Sequence, residues 1–325
     1  MDFWKGRKVF VTGADGFIGS WVAKGLVGSG ADAYCLARDV KKDAGYDLQG
    51  LRGKVTLVHG DLVDYASIER PVREYEIDSV FHLAAQALVG VANSGPISTF
   101  ESNIRGTYNL LEACRRSGKV ERIVVASSDK AYGVQKKLPY TEESPLLGAY
   151  PYDASKACTD IIAHSYFATY GMPVAVTRNA NTYGGGDLNF SRIVPDAIRC
   201  ALGGKALEIR SDGKAERDYM YAADAVSAYL ALGERANAKG VAGEAFNFGT
   251  GKPVSVLEVV ETINRAAGAK AKPKILGTAR NEIDRQWLDS SKAKRVLGWE
   301  AEYSLGEGIK ETVEWYRNYF SKQGK

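Results

Sequence analysis

Tyr152 and Lys156 stand four positions apart in the run Tyr150-Pro151-Tyr152-Asp153-Ala154-Ser155-Lys156. The residues from Ala154 to Tyr170 have the make-up of a helix, and at helical spacing positions i and i+4 share a face. An ammonium beside a phenol favours the phenolate and lowers the phenol's pKa. A phenol tuned in this way can move protons near neutral pH. Earlier in the chain, Ile123-Val124-Val125-Ala126 is an apolar, largely β-branched run that reads as a buried strand. It breaks into Ser127-Ser128-Asp129-Lys130, a cluster of small polar and charged groups at the strand's carboxyl end.

The elements that must hold these groups begin near residue 8. Lys8–Val11 is a short apolar strand, followed by Thr12-Gly13-Ala14-Asp15-Gly16-Phe17-Ile18-Gly19 and a helix to about Gly28. Glycines between a strand and a helix N-terminus let the backbone approach a pyrophosphate, which the free N–H groups then meet. The competing reading is a tight turn that packs a helix onto a sheet. Ala33–Leu36 is a second strand. Where an acid would bind the ribose diol of NAD, this chain has Ala37, then Arg38 and Asp39. Arginine suits the 2′-phosphate of NADP, while NAD with a solvated Arg38 stays open. Further strands are read at Val55–Val58, Ser79–Gln86, Ile123–Ala126 and Val174–Thr177, with a long helix over Thr99–Ser117.

Strands alternating with helices predict an α/β fold, a Rossmann-like doubly wound parallel sheet with a smaller C-terminal α/β substrate domain. Ligands of such sheets bind outside the carboxyl ends of the strands, where Ser127–Lys130 lies. The expected division is 1–180 for the dinucleotide and 181–325 for the substrate, with 220–250 returning to the first. Tyr183–Asp187 reads as a flexible glycine loop, and Arg210–Tyr219 as a basic segment. Helices are read at Val194–Leu202, Ala222–Gly233, Ser291–Leu297 and Gly306–Phe320. Ser255 and Glu258 have the spacing of a capping box ahead of another helix, which runs to Ala267.

Composition bounds the function. The chain has 325 residues, 45% hydrophobic and 25% charged, with a formal charge of +4. That is an ordinary globular make-up with scattered basic residues, so no nucleic-acid partner is expected and an anionic small molecule fits. Cys35, Cys114, Cys158 and Cys200 have no paired or metal-binding spacing, which suits a reducing cytoplasm. The start has no signal-peptide pattern, and no apolar run is long enough for a membrane helix. No metal is expected.

Together the segments resemble the extended short-chain dehydrogenase/reductases that act on nucleotide sugars. The resemblance rests on the Gly13–Gly19 turn, Gly60-Asp61-Leu62, His82-Leu83-Ala84-Ala85-Gln86, Asn103-Ile104-Arg105-Gly106-Thr107 and the Tyr152/Lys156 pair. Arg217-Asp218-Tyr219 and Leu297-Gly298-Trp299 add to it. Ser128-Asp129-Lys130 and the run Ala84–Val89 look like the CDP-glucose 4,6-dehydratases, with the GDP-mannose enzymes next. Arg38 leans the other way, towards the NADP-using GDP-mannose enzymes.

The resemblance implies roles. Gly13, Asp15, Gly16, Phe17, Ile18, Arg38, Asp61, Leu62, Leu83, Ala84 and Ala85, with Tyr152 and Lys156, would bind NADP or NAD. Gln86, Asn181, Arg192 and Arg217 would contact a nucleoside-diphosphate hexose. Tyr152 would take the proton from the sugar O4, with Ser128 (or Ser127) hydrogen-bonded to the same oxygen. Asp129, carrying a proton, would donate to the departing C6 hydroxyl, and Lys130 would take the C5 proton. A lysine can serve as that base only when burial or nearby positive charge makes it give up its own proton. The competing reading is that Lys130 stays charged and pairs with Asp129. His82 is read as structural, and a homodimer is implied through the helices at Thr99–Ser117 and Ala154–Tyr170. The rival functions are a C4- or C2-epimerase and, more remotely, a non-catalytic cofactor-sensing protein.

Overall fold

The computed structural model describes residues 3–39, 41–278 and 283–323. Its strands are β1 (Lys8–Thr12), β2 (Asp32–Ala37), β3 (Thr56–His59), β4 (Ser79–His82), β5 (Arg122–Ala126), β6 (Val174–Asn179), β7 (Asn181–Tyr183), β8 (Glu208–Ile209), β9 (Glu216–Tyr221), β10 (Ala245–Phe248), β11 (Pro253–Ser255), β12 (Lys274–Ile275) and β13 (Arg285–Gln286). Its α-helices are α1 (Phe17–Gly28), α2 (Gly45–Leu48), α3 (Tyr65–Glu74), α4 (Val89–Ser94), α5 (Pro96–Phe100), α6 (Gly106–Ser117), α7 (Pro151–Tyr170), α8 (Ile193–Leu202), α9 (Ala222–Arg235), α10 (Val256–Ala267), α11 (Ser291–Leu297) and α12 (Leu305–Gln323).

Seven strands form one parallel sheet in the order β10-β6-β5-β4-β1-β2-β3. Strands buried on both faces read as continuous apolar runs, and Ile123 to Ala126 are all buried. On one face Val9 and Val11 share a core with Val22 and Leu26 of α1 and Ala225 and Leu232 of α9. On the other, Phe10, Ile123 and Val125 share a core with Ile68 of α3, Leu110 of α6 and Ala163 of α7. The strand order reverses between β1 and β4, which opens a crevice at their carboxyl ends.

A second group of strands places β9 between β11 and β13, with β7 also paired to β9. Its core joins Tyr183, Ile198 of α8, Val259 and Ile263 of α10, and Ile309 and Val313 of α12. The Ser255/Glu258 capping box is present at the start of α10. β10 returns to the large sheet beside β6.

Four local expectations are corrected. The fourth strand stops at His82, because Gln86 N turns to donate to Asn103 Oδ1 at 2.7 Å instead of to a neighbouring strand. The long helix at Thr99–Ser117 is interrupted by a π-helical turn at Glu101–Arg105. Within it, the Asn103 carbonyl accepts the hydroxyls of Thr107 and Thr159, and its amide donates to Ser155. α7 starts at Pro151, since proline at the first turn gives up an N–H that has no intrahelical partner anyway. The Tyr183–Asp187 stretch is packed: Trp21 donates to Gly185 O at 2.7 Å, and a Cβ on Gly185 would strike the Trp315 ring.

Candidate active site

Two cavities meet at the carboxyl edge of the large sheet. The first, about 300 Å³, is lined by every residue expected to form the dinucleotide turn and its surroundings: Gly13, Asp15, Gly16, Phe17, Ile18, Arg38, Asp61, Leu62, Leu83, Ala84 and Ala85. Gly13 has φ of +82°, and a Cβ there would lie 2.7 Å from Ala84 N. A Cβ on Gly19 would strike Gly13 O. The turn therefore presents bare backbone at the N-terminus of α1, a cradle suited to a pyrophosphate. Arg38 pairs with Asp39 at 2.9 Å and Lys41 with Asp15 at 2.7 Å. Sequence reading missed Lys41, which no turn or strand pattern marks out.

The second cavity, about 370 Å³, holds Ser127, Ser128, Asp129, Lys130, Tyr152 and Lys156 together. Ile18, Leu83, Ala85, Ala87 and Arg192 line both cavities, so the two lie side by side. β5 delivers the Ser-Asp-Lys cluster and the first turn of α7 delivers Tyr152 and Lys156. Lys156 Nζ donates to Ala126 O at 2.7 Å, and Ser127 Oγ donates to Lys156 O at 3.2 Å. Ser127 is thus spent on joining α7 to β5, and Ser128 is the serine hydrogen-bonded to the Tyr152 phenol. The expected lowering of that phenol by Lys156 is not found. Burial pushes Tyr152 up to about 12, with the Ser128 hydrogen bond and the Arg192 charge opposing it. Burial also brings Lys156 down to about 8.

His82 lies below this floor, with Nδ1 2.8 Å from Thr12 Oγ1 and Nε2 3.0 Å from Thr107 Oγ1. Burial, then the Lys156 charge, lowers its pKa to about 3, so it is a neutral bridge between β1, β4 and α6.

The Asp129–Lys130 pair is bonded within itself. Lys130 Nζ lies 3.2 and 3.1 Å from the two Asp129 carboxylate oxygens, and 2.8 Å from Gln286 Oε1. Gln286, fully buried on β13, also donates Nε2 to Asp129 O at 3.0 Å. The arrangement matches the competing reading of Lys130 as a paired ammonium. Ser128 Oγ is 3.1 Å from Asp129 Oδ1. Beside them, burial raises Asp153 to about 6, although the Lys130 charge opposes it.

Of the expected substrate contacts, Asn181 and Arg192 line the central cavity. Arg192 is aimed by buried Asp187, at 2.9 Å. The other two, Arg217 and Gln86, do not line either cavity. Arg217 folds back onto the carbonyls of Glu216 (2.8 Å) and Asp284 (3.4 Å). Gln86 caps its own loop, its Oε1 accepting Leu88 N at 2.7 Å. In the Arg217-Asp218-Tyr219 segment, Tyr219 lines the cavity and Asp218 accepts Thr250 N and Gly251 N, fixing the turn after β10. The cavity also holds Asn179, Asp187 and Tyr229, none of them foreseen. Among the described residues no group of His, Cys, Asp and Glu could hold a metal ion, and no helix is long and apolar enough to cross a membrane.

A parallel sheet with a glycine cradle at its switch point and a Tyr/Lys pair in the adjoining cavity defines a nicotinamide-dependent enzyme of the short-chain dehydrogenase/reductase class. A family profile described as GDP-mannose 4,6 dehydratase matches residues 10–312, and the chain belongs to that family of extended short-chain dehydrogenase/reductases. It is 29% identical to the CDP-glucose 4,6-dehydratase of Salmonella typhimurium, over 97% of this chain and 92% of that one. It spans about half the length (48% and 47%) of two trifunctional UDP-glucose 4,6-dehydratases of Arabidopsis thaliana. Among solved structures, a UDP-glucose 4-epimerase of Thermotoga maritima with UDP-glucose superposes with a TM-score of 0.89 at 30% identity, covering 96% of this chain and 99% of that one. A dTDP-glucose 4,6-dehydratase of Streptomyces venezuelae with NAD bound gives 0.87 at 29%, covering 97% and 98%.

Proposed function

We propose that the chain is a nucleotide-sugar 4,6-dehydratase that forms an NDP-4-keto-6-deoxyhexose, with CDP-glucose or GDP-mannose as the substrate. The observation that carries this reading is the Asp129–Lys130 pair facing the same cavity as Ser128 and Tyr152. An epimerase needs nothing at C5 and C6, whereas dehydration needs both an acid and a base there. A bound nicotinamide supplies the taking of a hydride from C4 and its return to C6. Tyr152, once its phenol has given up its own proton to solvent, accepts the O4 proton while Ser128 holds that oxygen. The resulting 4-ketone acidifies C5, so Lys130, once its ammonium has passed a proton to Asp129, removes the C5 proton. Asp129, protonated in that exchange, passes the proton to the C6 oxygen, which departs as water. Lys130 then returns its proton to C5.

Asn181 and Arg192 are proposed to hold the substrate diphosphate. Arg38, with Lys41, is proposed to receive a 2′-phosphate, which makes NADP the favoured cofactor over NAD. Residues 181–325, apart from the segment 220–250, are proposed as the substrate domain. A homodimer through α6 and α7 is supported by the exposure there of Tyr108, Ile161 and Tyr170.

One observation favours a C4-epimerase instead: Lys130 is already committed to Asp129 and Gln286. Incubation with CDP-, GDP-, dTDP- and UDP-hexoses, read by mass spectrometry for loss of water, separates the two. Asp129→Asn and Lys130→Ala are expected to keep dinucleotide binding and lose dehydration. A panel of unchanged masses, or a variant forming the keto-deoxy product at the wild-type rate, overturns the assignment.

A further inference from the structure

Asn179 ends β6 at the carboxyl edge of the sheet and lines the central cavity with Tyr152 and Lys156. It is 6% exposed, and neither its Nδ2 nor its Oδ1 has a hydrogen-bond partner among the described residues. A buried amide left unpaired at both ends is costly, and protein interiors rarely keep one without a reason. Of the residues whose buried side-chain polar atoms lack partners, Asn179 is the one that lines this cavity. The amide asks for a group that offers a donor and an acceptor side by side.

We propose that the Asn179 side chain pairs with the carboxamide of the nicotinamide ring, and so selects which face of the ring meets the sugar. The inference rests on the dinucleotide reading given above. The cofactor cleft borders the central cavity at Ile18 and Leu83, which line both. A dinucleotide laid from the Gly13 cradle past that border would bring its nicotinamide end to Tyr152 and Lys156. Asn179 stands beside them in sheet register: Thr177, two residues earlier on β6, pairs with Ala126, whose carbonyl holds Lys156. The nicotinamide carboxamide carries one C=O and one NH₂ in a plane, so it satisfies both ends of the asparagine amide at once. A sugar hydroxyl is a less complete match, since it meets only one end at a time in a fixed pose.

The test uses sugar-free protein, with affinities measured by titration calorimetry. The probes are ADP-ribose, whichever of NAD and NADP binds more tightly, and the 3-acetylpyridine analogue of that dinucleotide, which replaces the NH₂ by CH₃. Asn179→Leu is expected to leave ADP-ribose affinity unchanged, which reports an intact cradle, and to weaken the dinucleotide about tenfold, the size of one or two hydrogen bonds. Wild type is expected to prefer the dinucleotide to its acetyl analogue, and the variant to lose most of that preference, a coupling read as a double-mutant cycle. Equal preference in wild type and variant overturns the proposal. So does a variant that keeps dinucleotide affinity and loses nucleotide-sugar affinity, because the amide then serves the sugar. A wild-type protein that binds no nicotinamide dinucleotide overturns the cofactor reading itself, and the proposal with it.

Discussion

Lys130 Nζ lies 2.8 Å from the Oε1 of Gln286, a residue that reaches the site from 156 positions further along the chain. With the two Asp129 oxygens, this gives the ammonium three acceptors, one for each of its N–H groups. The group proposed to take the C5 proton is therefore tied to three acceptors in this arrangement. Gln286→Leu removes one acceptor and the bond to Asp129 O. The expected outcome in steady-state kinetics is a fall in kcat of about tenfold, the scale of one hydrogen bond to a charged group, with KM for the nucleotide sugar little changed. Gln286→Glu binds the ammonium more firmly, so its activity is expected to rise only at higher pH than that of wild type. Identical pH–rate profiles for all three proteins would remove Gln286 from the reaction.

Lys156 is buried at a cost in stability. Its folded-state pKa of about 8 lies below the ordinary lysine value of 10.5. The unfolded chain therefore binds more protons between these values, and stability rises with pH across that window. The penalty is fully present below about pH 8. Lys156→Met should be more stable than wild type at pH 7 by about 1–3 kcal/mol, allowing for the lost bond to Ala126 O. The difference should shrink towards pH 10.5, as read by urea unfolding at the two pH values.

His82 works in the opposite pH range. Its folded pKa of about 3 lies below the ordinary value of 6.5, so the unfolded chain takes up the proton first as the medium is acidified. Stability from this group is intact above about 6.5 and declines as pH falls towards 3. Replacing it with asparagine weakens the Thr12–Thr107 bridge but removes that titration. The stability gap between wild type and His82→Asn should narrow steadily from pH 7 to pH 4.5 in matched denaturant melts, and a constant gap would contradict the assignment.

Gly13→Ala combines a left-handed backbone position with a clash. At φ of +82° a side chain is strained, and the added Cβ meets Ala84 N at 2.7 Å. The variant should lose about 1–3 kcal/mol of stability and bind dinucleotide at least tenfold more weakly in fluorescence titration. Wild-type affinity would mean that the cofactor does not use this turn.

What the sequence disclosed is what local pattern encodes. The buried strands, the glycine turn, the capping box of α10 and the Tyr152/Lys156 pair all carry their signal within a few residues of themselves. Asn179 and Gln286 carry none: each matters through partners, or the want of them, set by strand placement across the whole chain. Arg217 shows that a motif fixes where the backbone runs, while two nearby carbonyls decide where the guanidinium goes. The π-helical turn at Glu101–Arg105 escaped the helical periodicity because it answers to Gln86, Ser155 and Thr159, which come from other segments.

Arg192 borders both cavities and is tethered to Asp187. One guanidinium shared by two compartments makes their occupancies interdependent. On the proposed role of Arg192 at the substrate diphosphate, a dinucleotide that fixes its position would favour nucleotide-sugar binding, and by thermodynamic reciprocity a seated nucleotide sugar would tighten dinucleotide binding by the same factor. Such an enzyme would retain its dinucleotide through a full oxidation and reduction, which is what a reaction with no net redox change requires.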